Sequence, residues 1–239
     1  MVPSPRSRYH TRVLDLEAFR PVAVVFDLDG TLVDNMDWHA KAFEAFVERH
    51  GLPAVTMEMR HRIDGKRNSE IFPILFGREM SREEVRAFEE EKEGAYRELS
   101  RGGLEPLGGT TLLLDRLAAH GIAIAVATSA PAENVAHTLA ETGLQHRLPV
   151  IVRGDQVPYG KPAPDVFLHA ARVLDVDPAA CLAFEDAPLG VTAARAAGMC
   201  CVAITSSFTA ESFASSSPPP HGTCADFNEF LAGPGRWLT

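Results

Sequence analysis

The chain has 239 residues, 46% of them apolar and 23% charged, which allows one to two globular domains and excludes a disordered chain, a collagen-like repeat or a disulfide mini-scaffold. Acidic residues outnumber basic ones 32 to 23, for a net charge of −9. That balance argues against general nucleic-acid or anionic-membrane binding and still permits a local basic pocket for a phosphate.

Residues 1–20 read as a short N-terminal extension. Arginines occur in its first nine positions with no apolar run behind them, so a secretory signal is not expected and the cytoplasm is the expected location. No stretch approaches the roughly 20 apolar residues of a membrane span. Five short runs rich in Val, Ile, Ala, Phe or Cys read as buried strands: 22–28, 122–128, 150–154, 181–185 and 200–205. Their near-continuous apolarity predicts strands covered on both faces, hence a parallel sheet. Helical patterns separate them at 110–120, 131–143, 164–174 and 190–198. Gly121, Gly143 and Gly198 follow three of these helices, where a C-terminal residue with positive φ is wanted. The alternation predicts an α/β doubly wound core.

One interval breaks the alternation. The stretch from Met36 to Gly109 contains no convincing strand and reads as four helices, 37–50, 56–63, 68–76 and 82–100. A segment this long is not a loop. It is expected to form a helical cap, giving a core of residues 21–35 and 103–239 and a cap of residues 36–102, with hinges near 34–37 and 101–109. The run 215–220 is polar and Pro-rich, and reads as a surface connector. The four cysteines, Cys181, Cys200, Cys201 and Cys224, have no zinc-type spacing and read as buried free thiols in a reducing compartment.

Four features stand at or just beyond carboxyl ends of predicted strands. Asp27 and Asp29 end the first; if extended geometry persists they share a face, and two such carboxylates repel unless a cation lies between them. Thr128 and Ser129 end the second. Lys161 lies in Tyr159-Gly-Lys-Pro-Ala-Pro-Asp165, and Glu185 and Asp186 end the fourth strand. Each has a plainer reading: a solvated turn, a helix cap, a surface lysine, acids at a helix start. Ligands of open α/β sheets bind at these ends, where strand order reverses. Together the residues offer a carboxylate nucleophile, hard oxygen ligands, a hydroxyl and a lysine, a set suited to magnesium-assisted phosphoryl transfer.

Asp27-Leu-Asp-Gly-Thr31, Thr128, Lys161 and Glu185-Asp186 resemble the four motifs of the haloacid dehalogenase superfamily. The wording around Lys161 and Asp186, with the position of the inserted helices, resembles its β-phosphoglucomutase-like branch. The resemblance implies a Rossmann-like parallel sheet of order 5-4-1-2-3 under a helical cap. It implies Asp27 as nucleophile and Asp29 as general acid and base, with Thr128 and Lys161 on the phosphoryl oxygens. It further implies Mg2+ held by Asp27, the Asp29 carbonyl, Asp186 and, directly or through water, Glu185. Dehalogenases of the family lack an acid at the place of Asp29, so that chemistry is not expected.

The substrate side rests on Ser129, His39, Lys66, Arg67 and Lys92. His39 and Lys92 resemble cap residues of β-phosphoglucomutases. His39 shares a helix face with Phe43 and reads equally as a packed histidine, while Lys92 lies in a charge-rich helix where a solvated lysine is the plainer reading. Asn68 stands where a mutase has its phosphate-binding arginine, and Ala132 replaces a polar residue. The reading is therefore a magnesium-dependent phosphatase of small phosphorylated metabolites, monomeric by default. A hexose-phosphate mutase is the alternative, and a receiver-like phospho-switch a remote one.

Overall fold

A computed structural model describes residues 15–214 and 216–238. Most of the extension expected over residues 1–20, and one residue of the 215–220 connector, lie outside the described residues. Residues 15–20 pack on the C-terminal end of the fold: Leu16 and Phe19 contact the main apolar cluster, and Glu17 pairs with Arg236.

In chain order the elements are β1 (Ala23–Phe26), β2 (Val33–Asp34), α1 (Met36–Arg49), α2 (Met57–Ile63), α3 (Asn68–Phe76), α4 (Arg82–Leu99), β3 (Glu105–Pro106), α5 (Thr110–Ala119), β4 (Ala123–Thr128), α6 (Ala132–Thr142), β5 (Val150–Arg153), α7 (Asp165–Val173), β6 (Cys181–Glu185), α8 (Pro188–Ala196), β7 (Cys200–Ile204), α9 (Ala210–Phe213), β8 (Gly222–Cys224) and α10 (Phe227–Ala232). Six strands form a parallel sheet in the order β5-β4-β1-β6-β7-β8. Numbering the five expected strands along the chain, this is 3-2-1-4-5, the expected order read from the opposite edge. The sixth strand, β8, was not expected.

Strand alternation divides the sheet's side chains by size. Val24, Phe26, Ile124, Val126, Leu182, Phe184, Val202 and Ile204 face a cluster completed by α5, α6 and α10. Their small neighbours Ala23, Val25, Ala125, Ala127, Ala183, Cys201 and Ala203 face α7 and α8. Small residues let those helices lie close to the sheet, and burial on both faces explains the unbroken apolarity of the strands. Gly121, Gly143 and Gly198 have φ of 67°, 69° and 86°, as the helix-end reading required.

Helices α1–α4 keep a separate cluster of Phe46, Val47, Ile63, Ile71, Phe72 and Leu75, edged by Phe76 and Phe88. The two chain crossings between these helices and the sheet pair as the antiparallel ribbon β2–β3. This short ribbon, absent from the sequence reading, has no apolar pattern of its own and is defined only by its partner. The Leu32 carbonyl beside it accepts from both the Leu107 N–H (2.9 Å) and the Thr110 hydroxyl (3.1 Å). Among the described residues no helix is long and apolar enough to cross a membrane.

Candidate active site

At the carboxyl ends of β1, β4 and β6 lies a cavity of about 150 Å³ bounded above by α1–α4. Its floor is built by strand ends. The Asp27 N–H donates to the Phe184 carbonyl (2.9 Å), so the backbone pairing with β6 holds Asp27 in place. Lys161, 1% exposed, donates from Nζ to Asp27 Oδ1 (2.5 Å) and to Glu185 Oε1 (2.7 Å). Glu185 Oε2 accepts the Ala187 N–H at 2.8 Å. A Cβ on Gly190 would lie 1.7 Å from Glu185 Oε1, so only glycine leaves room for this carboxylate. Asp186 receives the Thr31 hydroxyl at 3.4 Å on Oδ1 and the Ser207 hydroxyl on Oδ2. Thr128 is buried at the end of β4, where its Oγ1 accepts the Ala130 N–H (3.0 Å), so the helix-entry role and the cavity position coexist.

Three buried carboxylates thus face one buried ammonium. Burial, with Glu185 and Asp29 nearby, pushes Asp27 up to about 8 despite Lys161. Burial beside Glu185 and Asp27 also raises Asp186 well above the carboxylate range. For Lys161, the two carboxylates outweigh burial and raise its value.

Asp27 and Asp29 do not lie on one continuous strand face. Strand β1 ends at Phe26, Gly30 turns with φ of 76°, and Asp29 bridges to Val33. The Asp29 side chain therefore rises toward the helices while still lining the cavity. Its Oδ1 accepts from Asn35 Nδ2 at 2.6 Å. Asn35 also donates to the Tyr96 hydroxyl (2.7 Å) and accepts the Gly30 N–H (3.0 Å), so its carboxamide is fully engaged. Tyr96, from α4, is buried and contacts Thr138 on α6 at 3.3 Å.

His39 stacks on Tyr96 at 3.8 Å, with Nδ1 2.9 Å from Lys92 Nζ. An ammonium only donates, so Nδ1 accepts and the neutral ring carries its proton on Nε2. Among the described residues that nitrogen has no hydrogen-bond partner, and it lies 3.8 Å from Asp29 Oδ2. Burial raises the Asp29 value, but His39, Asn35 and Lys92 together outweigh it and hold the carboxyl below its ordinary range.

Lys92 is 2% exposed, which removes the solvated-lysine reading. It pairs with Glu93 (3.0 Å) and sits 4.1 Å above the Phe43 ring. Glu93 in turn accepts from Asn68 (2.8 Å) and Asn134 (2.6 Å). Lys66 and Ser129 line the cavity, and the Ser129 hydroxyl donates to the Gly65 carbonyl at 2.6 Å.

Arg67 does not reach this cavity. It caps α3, pairs with Glu70 (3.0 Å) and donates to the carbonyls of Gly154 (3.2 Å), Val157 (3.3 Å) and Pro158 (3.4 Å). This corrects the expectation that it binds substrate: the start of α3 turns its side chain outward, onto the loop that leads to Lys161. Sequence reasoning also missed Asn35, Tyr96, Thr31 and Ser207. Thr31 closes the first motif run, Asn35 follows it by four positions, and Ser207 follows the carboxyl end of β7, a position that could have drawn attention.

Among the described residues no three His, Cys, Asp or Glu side chains stand ready as a metal cage. The floor nevertheless fits a hard divalent cation. It gathers three buried carboxyl groups around one ammonium, and the oxygens of Asp27 and Asp186 are the donor type magnesium takes. Glu185 is engaged at both oxygens by Lys161 and the Ala187 N–H.

The sequence pattern of haloacid dehalogenase-like hydrolases matches residues 24–204. The fructose-1-phosphate phosphatase YqaB of Escherichia coli (strain K12) is 33% identical over 182 residues, covering 75% of this chain and 94% of that protein. The β-phosphoglucomutase of Bacillus subtilis (strain 168) is 33% identical over 190 residues, covering 76% and 82%. Among solved structures, a family IA, variant 3 HAD hydrolase from Entamoeba histolytica HM-1:IMSS superposes with a TM-score of 0.76 at 28% identity, covering 87% of this chain and 94% of that one.

Proposed function

The chain belongs to the haloacid dehalogenase-like hydrolases, in their β-phosphoglucomutase-like branch, and on that premise we propose that it is a magnesium-dependent phosphatase of small sugar phosphates. The observation that carries the reading is the buried Asp27–Lys161 pair, flanked by Asp186 and Thr128, beneath a cavity whose other wall presents Asp29. Four buried free thiols support a reducing, cytoplasmic setting, and the working unit is a monomer with α1–α4 as its cap.

In this reading Thr128 and Lys161 hold the transferring phosphoryl oxygens and offset their charge. An Asp27 carboxylate oxygen attacks phosphorus in line. The phosphorus–oxygen bond to the sugar breaks, its electron pair stays with the departing oxygen, and that oxygen takes a proton from Asp29. Asp29 then removes a proton from water as the water attacks the aspartyl-phosphate, releasing phosphate and restoring Asp27. The ionised state that His39 and Asn35 favour is the one required in this second step. Arrival of an anionic phosphate raises the Asp29 value and favours the protonated form the first step needs. Magnesium, held by Asp27, Asp186 and the Asp29 carbonyl, would supply charge neutralisation at the phosphoryl group.

A mutase is the second reading, favoured by the buried His39–Lys92 pair. It needs a second phosphate site. Asn68 is a carboxamide engaged with Glu93, Arg67 is held on loop carbonyls, and the guanidinium that does line the cavity, Arg60, is paired with Asp64 at 2.8 Å. The deciding assay supplies β-glucose 1-phosphate and a trace of the 1,6-bisphosphate, beside a panel of sugar phosphates. Free phosphate and glucose 6-phosphate are followed together. Phosphate release without 6-phosphate, abolished in Asp27→Asn, is expected. Rapid 6-phosphate formation without release supports the mutase, and full turnover by Asp27→Asn refutes both readings.

A further inference from the structure

Ser206 and Ser207 stand just beyond β7, outside every motif of the sequence reading. Their turn is anchored on both sides. The Thr205 N–H donates to the Cys224 carbonyl at 2.9 Å. Phe208 is 4% exposed and packs against His61 and Phe213, with ring centroids 4.7 Å and 6.3 Å away. Between these anchors the Ser206 hydroxyl donates to the Gly30 carbonyl at 2.5 Å, and the Ser207 hydroxyl donates to Asp186 Oδ2.

One short turn therefore grips both halves of the floor: a carboxylate at the end of β6, and the backbone immediately after Asp29. The two halves are already in contact, since a Cβ on Gly30 would lie 2.2 Å from Asp186 Oδ2. With Thr31 on Oδ1, both Asp186 oxygens receive a neutral hydroxyl. Hydroxyl donors fix the direction of a carboxylate and leave its charge in place. A lysine partner, as at Asp27 and Glu185, cancels charge instead. Asp186 is 3% exposed, and among the described residues no cationic side chain is bonded to it. A buried, aimed and uncancelled carboxylate is arranged for a cation that comes from solution.

We infer that Ser207, assisted by Ser206, is a positioning residue for the divalent cation: the pair aims Asp186 and the Asp29–Gly30 turn at one point and thereby sets cation affinity. The inference rests on the phosphatase reading above. Neither serine touches the reacting atoms.

The test is calorimetric titration of the metal-free full chain with Mg2+, repeated with Mn2+ and its paramagnetic signal. It compares the parent with Ser206→Ala, Ser207→Ala and Ser207→Thr, each checked for folding by circular dichroism. Outer partners of metal ligands typically change affinity about 10–100-fold. Ser207→Ala is expected to weaken binding by that amount, Ser206→Ala by less, and Ser207→Thr to stay near the parent. Turnover of Ser207→Ala should rise as magnesium is raised, so that the loss lies in metal dependence. A folded Ser207→Ala with parental affinity overturns the inference and leaves the phosphatase reading standing, as does a Ser207→Thr as weak as Ser207→Ala. A parent chain that binds neither ion overturns both.

Discussion

Replacing Lys161 with methionine isolates the role of one buried charge. The side chain is 1% exposed, holds Asp27 and Glu185 at 2.5 and 2.7 Å, and lies 5.2 Å from the Phe167 ring centre. Methionine keeps the unbranched shape and most of the packing, so the loss is electrostatic. Removing one partner of a buried ion pair costs about 3–5 kcal/mol, because the charge left behind is uncompensated. Here two carboxylates lose a donor, which points to the upper part of that range once both are ionised.

The pH dependence follows from Asp27. Its folded value, pushed up to about 8 by burial, lies above the unfolded value of 3.8. The folded chain therefore keeps a proton that the unfolded chain has lost, and this group's contribution to stability falls as pH rises from about 4 to about 8. Without Lys161 the folded value rises further and the falling window extends upward, at a limiting slope of about 1.36 kcal/mol per pH unit. Lys161 is itself charged throughout, since its stabilising contribution is complete below the unfolded lysine value of about 10.4. Guanidinium unfolding in a chelator, from about pH 6 to about pH 9.5, should give a deficit that is level below about pH 8, where both chains lose this contribution at one slope, and widens above it. A deficit below about 1 kcal/mol at the upper end, or one that narrows as pH rises, would refute the reasoning.

Two further outcomes follow from the roof of the cavity. Asp29→Asn should lower kcat by about 10²–10⁴-fold, the range for a lost general acid or base, with the fold intact; a smaller loss in single-turnover and steady-state assays counts against its role. Tyr96→Phe removes the hydroxyl between Asn35 and Thr138 and leaves buried polar groups unpaired, at about 1–3 kcal/mol in chemical unfolding. Its turnover should also fall, as Asn35 loses one of its three partners; parental values of both quantities would show that water replaces the hydroxyl.

The core was legible because its strands are apolar on both faces and end in residues that carry chemistry. Val24-Val25-Phe26 followed by Asp27, and Leu182-Ala183-Phe184 followed by Glu185, state both facts within a few positions. The helical segment was legible for the opposite reason, its period of Phe43, Phe46 and Val47. Lys92 was not. Its neighbours in sequence are glutamates, and the His39 ring that it meets lies 53 residues away. Arg67 shows the same limit: standing beside the Gly65 turn, it could face either side, and carbonyls of residues 154–158 decide the matter. Strand β8 was hidden because Gly222-Thr223-Cys224 has no strand signal beyond its pairing with β7. The polar run before it, read as an idle connector, is held by Arg195 on the Pro219 carbonyl at 3.0 Å.

The ribbon of Val33–Asp34 with Glu105–Pro106 has a mechanical consequence. Two separate tethers would let the four helices twist, slide and tilt over the sheet independently. Two tethers bonded edge to edge act as a strap with width, stiff to torsion and to shear in its own plane. Bending across its thin direction is the soft coordinate. Any swing of the helices is thereby confined to nearly one degree of freedom, and along it Asn35, next to the ribbon in the chain, moves least while Asn68 and Glu93 travel farther.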